Sequence, residues 1–172
     1  FMKQGFTLLE LLIVIGILAI LATAAVLVLN PAELLRQARD SSRLADMASL
    51  NSALGLYVTD VSPIDLELGG GDCRDGGTPD AFIGGAIAGA TEHATATVDG
   101  LYGGADSASS SRDVDGTGWI PVDFTDIGAG APFGSLPVDS TNDATYNYQY
   151  ECDETESTWE LNAPMESTKF SN

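Results

Sequence analysis

The sequence predicts an α+β protein in which a long apolar N-terminal helix and its continuation pack onto a small antiparallel sheet. Three observations predict this. Residues 6–29 form an apolar run of 24 residues with a single charge, enough for a helix of roughly 36 Å. Apolar residues between 47 and 61 then recur at spacings of three and four, the period of one helix face. Residues 146–150 and 158–162 alternate apolar with polar side chains, as half-buried strands do.

The apolar run is long enough to cross a bilayer core of about 30 Å. A cleaved secretory signal peptide is the alternative, but its apolar region is shorter, about 7–15 residues. Glu10 is the one charge in the run, and an ionised carboxylate inside a membrane span costs at least ~2.5–3.5 kcal/mol. Either Glu10 reaches the headgroups from its place near one end, or a specific positive partner offsets the cost.

The residues around this glutamate form a specific motif. Lys3, Gly5, Phe6 and Glu10, followed directly by the apolar run, closely resemble the class III leader and mature N-terminus of type IV pilins and type II secretion pseudopilins. The resemblance implies the type IV pilin fold, a leader of residues 1–5, cleavage after Gly5 by a prepilin peptidase, and N-methylation of Phe6. It also implies that Glu10 pairs with the Phe6 amine of a neighbouring subunit and so sets the register of a helical filament.

A break in the helix is expected near residues 27–30. Pro31 removes a backbone hydrogen bond and clashes with the preceding turn. Asn30 is suited to cap a new helix that has Pro31 at its first position. Gly16 is a second weak point, and the resemblance implies that the stretch between Gly16 and Pro31 extends on assembly.

Charge divides the chain into a neutral stem and an acidic head. Residues 1–56 hold four cations and four acids, whereas residues 57–172 hold three cations, 21 acids and therefore all of the net charge of −18. Direct nucleic-acid binding is not expected of so acidic a surface, and neither is binding to anionic lipid unless the few cations cluster. The predicted segments are the leader 1–5, the apolar transmembrane or filament-core helix 6–30, an amphipathic helix 31–61 packed on the head, and the acidic head 62–172.

Three arginines lie close together at the start of the amphipathic helix, at positions 36, 39 and 43. Two interpretations are open. They form a solvated helix face, or they meet the acidic heads of neighbouring subunits and relieve like-charge repulsion.

Within the head, residues 62–116 are rich in glycine and predict loops without a long regular element. Strands are predicted at residues 119–124, 146–150 and 158–162. A sheet of about three strands needs an apolar partner, and the helix face between residues 47 and 61 is suited to be that partner.

Two cysteines, Cys73 and Cys152, lie 79 residues apart in the head. Outside the cytoplasmic membrane they meet oxidising conditions, and a disulfide between them would restrain the glycine-rich segment. Free thiols are the alternative.

Metal binding and catalysis have weaker signals. Asp139, Asn142 and Asp143 resemble the loop in which some pseudopilins hold calcium, while a solvated turn rich in Asx residues is the alternative. His93 is the sole histidine, and no nucleophile elbow, phosphate loop or zinc spacing accompanies it. We therefore expect no enzymatic activity and no cofactor, with calcium at Asp139, Asn142 and Asp143 as the weaker alternative to a solvated turn.

The resemblance implies that the chain is a structural subunit of a bacterial type IV pilus that self-assembles into a helical homopolymer. The precursor is expected in the inner membrane, where it meets prepilin peptidase and the pilus assembly machinery, and the product in a filament at the cell surface. Adhesion, motility, DNA uptake and secretion are all roles found in the family. The alternatives are a type II secretion pseudopilin, a minor pilin, and a monomeric membrane-anchored binding module.

Overall fold

Two consecutive helices form the N-terminal part of the computed structural model, which describes residues 5–67, 82–85, 107–154 and 156–170. Helix α1 comprises Leu8–Leu29 and helix α2 comprises Pro31–Asp60. Asn30 separates them with a φ of 39°, in the left-handed region that asparagine adopts more readily than most residues. Pro31 begins α2 at the first helical position, where its missing N–H would have no helical partner in any case.

Helix α1 is apolar on all sides and packs against nothing in the described chain. All of its side chains that the structure describes are exposed, and its residues Leu8–Val26 are long and apolar enough to cross a membrane. Gly16 lies inside α1 without interrupting it. A helix that is apolar all round needs an apolar environment, which is supplied by lipid or by other helices.

Helix α2 packs one face onto the head. Leu50, Leu54 and Tyr57 are buried, and Met47 and Val61 pack at the margin of the same core. These are the residues whose spacing predicted a packing face. The other sides of α2 remain exposed. Apart from four exposed leucines at positions 34, 35, 44 and 56, their residues are mostly small or polar.

The head contains a small sheet of four strands in the order β2–β1–β3–β4. The strands are β1 (Phe82–Gly84), β2 (Ser107–Ser109), β3 (Tyr148–Asp153) and β4 (Thr158–Asn162). Strands β1, β3 and β4 are antiparallel, which confirms the predicted α+β fold with its antiparallel sheet, whereas the three-residue β2 runs parallel to β1. Both β1 and β2 fall in the glycine-rich stretch, where only short elements were expected.

Strand β3 is buried on both faces. Tyr148 and Tyr150 point into the core beside α2, as the alternation predicted, but Gln149 and Glu151 on the other face are buried too. The prediction of a half-buried strand is therefore wrong. Alternation identified the apolar face, but it carried no information about what covers the polar one.

The segment 119–124 is not a strand, contrary to the prediction. Its Asp123 forms an isolated bridge with Asp115, and a short 3-10 helix follows at Phe124–Asp126. Trp119 and Ile120 are adjacent and both buried, which a strand with one solvated face does not allow. The indole Nε1 of Trp119 donates to the carbonyl oxygen of Pro137 at 2.9 Å, so this irregular segment is held inside the head.

Candidate functional site

The N-terminal segment presents the predicted cleavage position outside any regular structure. Gly5, Phe6 and Thr7 precede α1, which begins at Leu8. Apart from Gly5 itself and its two chain neighbours, nothing lies within 4 Å of the point where a Cβ of Gly5 would stand, and the Phe6 side chain is exposed. The peptide bond between Gly5 and Phe6 is thus unobstructed in the described chain, as a peptidase substrate requires.

Glu10 is bonded to Thr7 at the beginning of α1. Its Oε2 accepts from the Thr7 backbone N–H at 3.0 Å and from the Thr7 hydroxyl at 2.7 Å. The Glu10 backbone N–H donates to Thr7 Oγ1 at 3.2 Å in return. This reciprocal pair is a capping box, which satisfies two of the free N–H groups at a helix start.

Thr7 is a residue that the sequence analysis missed, although the signal was present. Thr-x-x-Glu directly before an apolar run is the sequence pattern of a capping box. The arrangement places the Glu10 carboxylate on the residue next to Phe6, within one residue of the nitrogen that cleavage after Gly5 would free. An acid in the first turn also interacts favourably with the helix dipole.

Comparison with known protein families identifies this region. Residues 1–26 match the family described as the prokaryotic N-terminal methylation motif. The chain carries the class III signal of type IV pilins and pseudopilins. No curated protein and no solved structure matches the chain. The match covers the segment before α1 and most of α1, and the head lies outside it, with an α+β architecture that is consistent with the pilin fold.

A second arrangement lies where α2 meets the head, beyond the pilin signal. Arg43 is buried and donates from Nη1 to Asp40 at 2.8 Å and from Nη2 to Glu166 at 2.6 Å. Its Nε and Nη2 also form a two-point contact with the carboxylate of Asp139. Arg39 forms a further two-point contact with Glu166. We call these five residues the base network.

The base network ties the C-terminal segment of the chain to α2. The carboxylate of Asp40 accepts from the backbone N–H groups of Glu166 and Ser167 at 2.9 and 2.8 Å. About two turns earlier on α2, Glu33 Oε1 accepts from the N–H and the hydroxyl of Thr168, both at 2.9 Å. Residues 166–168 therefore lie along the first turns of α2.

Hydrogen bonding keeps two acids of the base network, Asp40 and Glu166, ionised. Burial disfavours the charge on Asp40, but hydrogen bonds from Ser167, from the Glu166 backbone and from Arg43 outweigh it and bring its pKa to about 2. Hydrogen bonds from Arg39 lower the pKa of Glu166 to about 2 against the opposing effect of burial, with Arg43 adding to the effect. Burial by itself would lower the pKa of Arg43, but the surrounding carboxylates raise it.

For Arg43, this network corrects both interpretations. Arg43 is neither solvated nor available to a neighbouring subunit, because its partners Asp139 and Glu166 belong to the same chain. Arg36 alone is largely solvated, and its one described ion pair, with Glu33, is long at 3.9 Å. The sequence held no local signal for this network, since Asp139 lies 96 residues from Arg43.

The three calcium candidates do not share a common centre in the structure. The carboxylate of Asp139 accepts from Arg43 and from the backbone N–H groups of Thr141 and Asn142. That of Asp143 caps its own turn through the N–H groups of Thr145 and Tyr146 at 2.8 Å. Among the described residues, no group of three His, Cys, Asp or Glu side chains is placed to hold a metal ion. Calcium at this loop stays a prediction without support from the geometry.

Two further predictions fall wholly or partly on positions that the structure does not describe. Cys152 is buried on β3, but Cys73 lies outside the described residues, so their pairing stays a prediction. His93, the only histidine in the sequence, also lies outside them.

Proposed function

We propose that the chain is a structural subunit of a bacterial type IV pilus. The observation that supports this best is that the methylation motif at residues 1–26 contains most of α1, a helix that is apolar and exposed on every described side. Such a helix has two plausible environments in the life of one subunit. Lipid covers it before assembly, and the same helix of other copies covers it in the filament.

The composition of α1 allows it to hold Glu10 within a membrane. Residues 8–26 contain twelve Leu, Ile and Val residues, each worth about −0.3 to −0.6 kcal/mol on the insertion scale. Their sum, roughly −4 to −7 kcal/mol, exceeds the ~2.5–3.5 kcal/mol that a carboxylate costs at the centre of a span. Glu10 lies near one end of α1 and is bonded to Thr7, so its cost is smaller still. Insertion of α1 into a membrane with Glu10 ionised is therefore favourable in free energy.

In the proposed filament, Glu10 exchanges its intramolecular partner for the Phe6 amine of a neighbour. Cleavage after Gly5 creates that amine, and a prepilin peptidase is the enzyme class that the motif implies. The exchange replaces a neutral donor, the Thr7 hydroxyl, by a cation, so the charge-assisted hydrogen bond that Glu10 already accepts becomes an ion pair between opposite charges. A subunit one register out of place would leave both charges unpaired in an apolar core, which is strongly unfavourable.

Substitutions at two positions separate ion pairing from helix capping. Glu10→Gln keeps an oxygen that accepts from Thr7 but removes the charge, while Thr7→Ala removes the hydroxyl and keeps the charge. If the Glu10–amine pair sets the register, Glu10→Gln abolishes filaments and Thr7→Ala retains them. If Glu10 only caps α1, Glu10→Gln assembles normally and the ion-pair proposal is wrong.

Filament formation itself is tested by shearing cells and imaging the released material with an antibody to the head. Long filaments composed of this chain, with a mass lacking residues 1–5 and carrying one added methyl group on Phe6, support a major pilin. Filaments in which this chain is rare, or which form only on overexpression, favour a minor pilin or a secretion pseudopilin. A chain that remains in the membrane fraction under all conditions favours the membrane-anchored binding module.

A further inference from the structure

The first turns of α2 and the C-terminal segment form an apolar and cationic surface around the base of the head. Leu34 and Leu35 are exposed on α2, and Arg36 follows them with 51% of its side chain exposed. Thr168 is bonded to Glu33 at this level, which places Lys169 and Phe170 beside the same turn, both exposed. We call Leu34, Leu35, Arg36, Lys169 and Phe170 the collar.

Acidic and basic side chains at this level of α2 differ in their exposure to solvent. The acids are turned inward, with Glu33 and Glu166 exposed by 16% and 8% of their side chains, and Asp40 by none. Arg43 is buried, but the other two arginines reach outward, since Arg36 and Arg39 are 51% and 37% exposed. A protein of net charge −18 thus presents positive charge to solvent around its base.

Within the described part of the chain, cationic residues cluster at the base of the head and nowhere else. Of its five cationic residues, four lie in or beside the base network and the collar, and Arg112 alone lies elsewhere on the head. The sequence made binding to anionic lipid conditional on such a cluster. Coulombic attraction between a cation and an anionic surface falls off within a Debye length of about 8–10 Å, so the distance of the collar from the membrane decides whether it acts.

Chain geometry brings the collar to that distance. Helix α1 has 22 residues and is about 33 Å long, which matches a hydrocarbon core of about 30 Å. Arg36 follows the end of α1 by seven residues, about 10 Å of helix at most. Its long side chain can extend back toward the headgroups while its methylene groups stay on apolar surface. Leu34 and Leu35 lie nearer still, where apolar side chains gain from the acyl boundary.

We propose that the collar binds the anionic phospholipid surface of the bilayer that holds α1, and so fixes the unassembled subunit with its acidic head directed away from the membrane. This rests on the part of the proposed function that stores the subunit in a membrane, but it does not require a filament. Phe170 supports the cationic side of the surface, because Lys169 Nζ lies 4.8 Å from its ring centroid.

The test uses the full chain in vesicles of phosphatidylcholine that contain 20 mol% phosphatidylglycerol. Spin-labelled phosphatidylglycerol and phosphatidylcholine, each at 1 mol%, report by electron paramagnetic resonance how strongly the protein prefers the anionic lipid. A cation near an anionic surface contributes about fivefold, the equivalent of about 1 kcal/mol. The double variant Arg36→Gln/Lys169→Gln is expected to reduce the preference several-fold, and 0.5 M NaCl is expected to do the same to the unaltered chain.

Two controls keep the result specific. Arg36→Lys retains the charge and should retain the preference. Ala129→Glu, at an exposed position of the head, changes the net charge as one collar substitution does and should leave the preference unchanged. Lys3 of the leader is present in every variant, so its own attraction for anionic lipid cancels in the comparison.

An equal preference in the double variant and in the unaltered chain would overturn the proposal. A second result would also overturn it. If the motionally restricted lipid fraction is the same for both headgroups and Lys169 forms cross-links between copies, a second subunit covers the collar instead of lipid. Neither result bears on the filament proposal, which depends on Glu10 and is read from sheared cells. Conversely, loss of filaments in Glu10→Gln leaves the vesicle measurement unaffected.

Discussion

Replacing Arg43 by methionine should lower the free energy of unfolding more than replacing any other cationic residue in the described part of the chain. The variant keeps an unbranched side chain of similar length, so the site stays filled, but Asp40, Asp139 and Glu166 lose their shared cation. Asp40 and Asp139 are buried, and removing one partner of a buried ion pair costs about 3–5 kcal/mol. Against a typical total stability of about 5–15 kcal/mol, that is a large fraction.

The measurement is urea unfolding of the full chain in detergent micelles, followed by the near-ultraviolet circular dichroism of the buried Trp119. A loss of about 3–5 kcal/mol corresponds to a fall in Tm of roughly 6–20 °C for a chain of this size. Arg36→Met is the matched control, since Arg36 is mostly exposed and its ion pair is long. It should change stability by no more than about 0.5 kcal/mol.

A double-mutant cycle completes the argument. Asp139→Asn added to Arg43→Met should cost less than the two single losses combined, because the second substitution removes a carboxylate that the first left unpaired. An Arg43→Met variant that loses less than about 1 kcal/mol would show that the base network contributes little, and that the buried carboxylates take up protons or water instead.

Three further outcomes are expected of the head. Leu54→Ala should cost about 2–5 kcal/mol in the same urea assay because Leu54 is fully buried, whereas Leu56→Ala, 42% exposed on the same helix, should stay within about 0.5 kcal/mol. Acid should weaken the fold between about pH 5 and pH 2. The pKa values of Asp40 and Glu166 are about 2 in the folded chain and lie below those of the unfolded chain, so the stability they contribute is lost as the pH falls. A Tm that does not change with pH over this window would contradict the pairing. Gly118→Ala should lower Tm, since a Cβ there would overlap a backbone carbonyl oxygen; an unchanged Tm would mean that the loop shifts at no cost.

The sequence predicted those parts of the structure whose signals are local. The apolar run gave α1, the spacing of Leu50, Leu54 and Tyr57 gave the packing face of α2, and the alternation around Tyr148 and Tyr150 gave the core face of β3. Each of these depends on residues within a few positions of one another. The spacing of apolar residues follows the period of the helix or strand, so these elements can be recognised from the sequence alone.

What the sequence did not predict depends on distant contacts. Arg43 reads as a surface arginine until Asp139 and Glu166 are brought to it across about a hundred residues. The buried polar face of β3 and the irregular path from Trp119 to Phe124 also depend on what packs over them. Thr7 is a different case, since its capping pattern with Glu10 is local and was overlooked beside the cleavage motif.

The attachment of residues 166–168 to the first turns of α2 decides where a reporter can be placed on this protein. A fluorophore or affinity tag inserted directly after Phe170 would lie beside the first turns of α2, because Thr168 is bonded to Glu33 there. Insertion into an exposed turn such as that at Gly130, remote in sequence from both ends of this attachment, leaves Glu33 and Asp40 with their backbone partners.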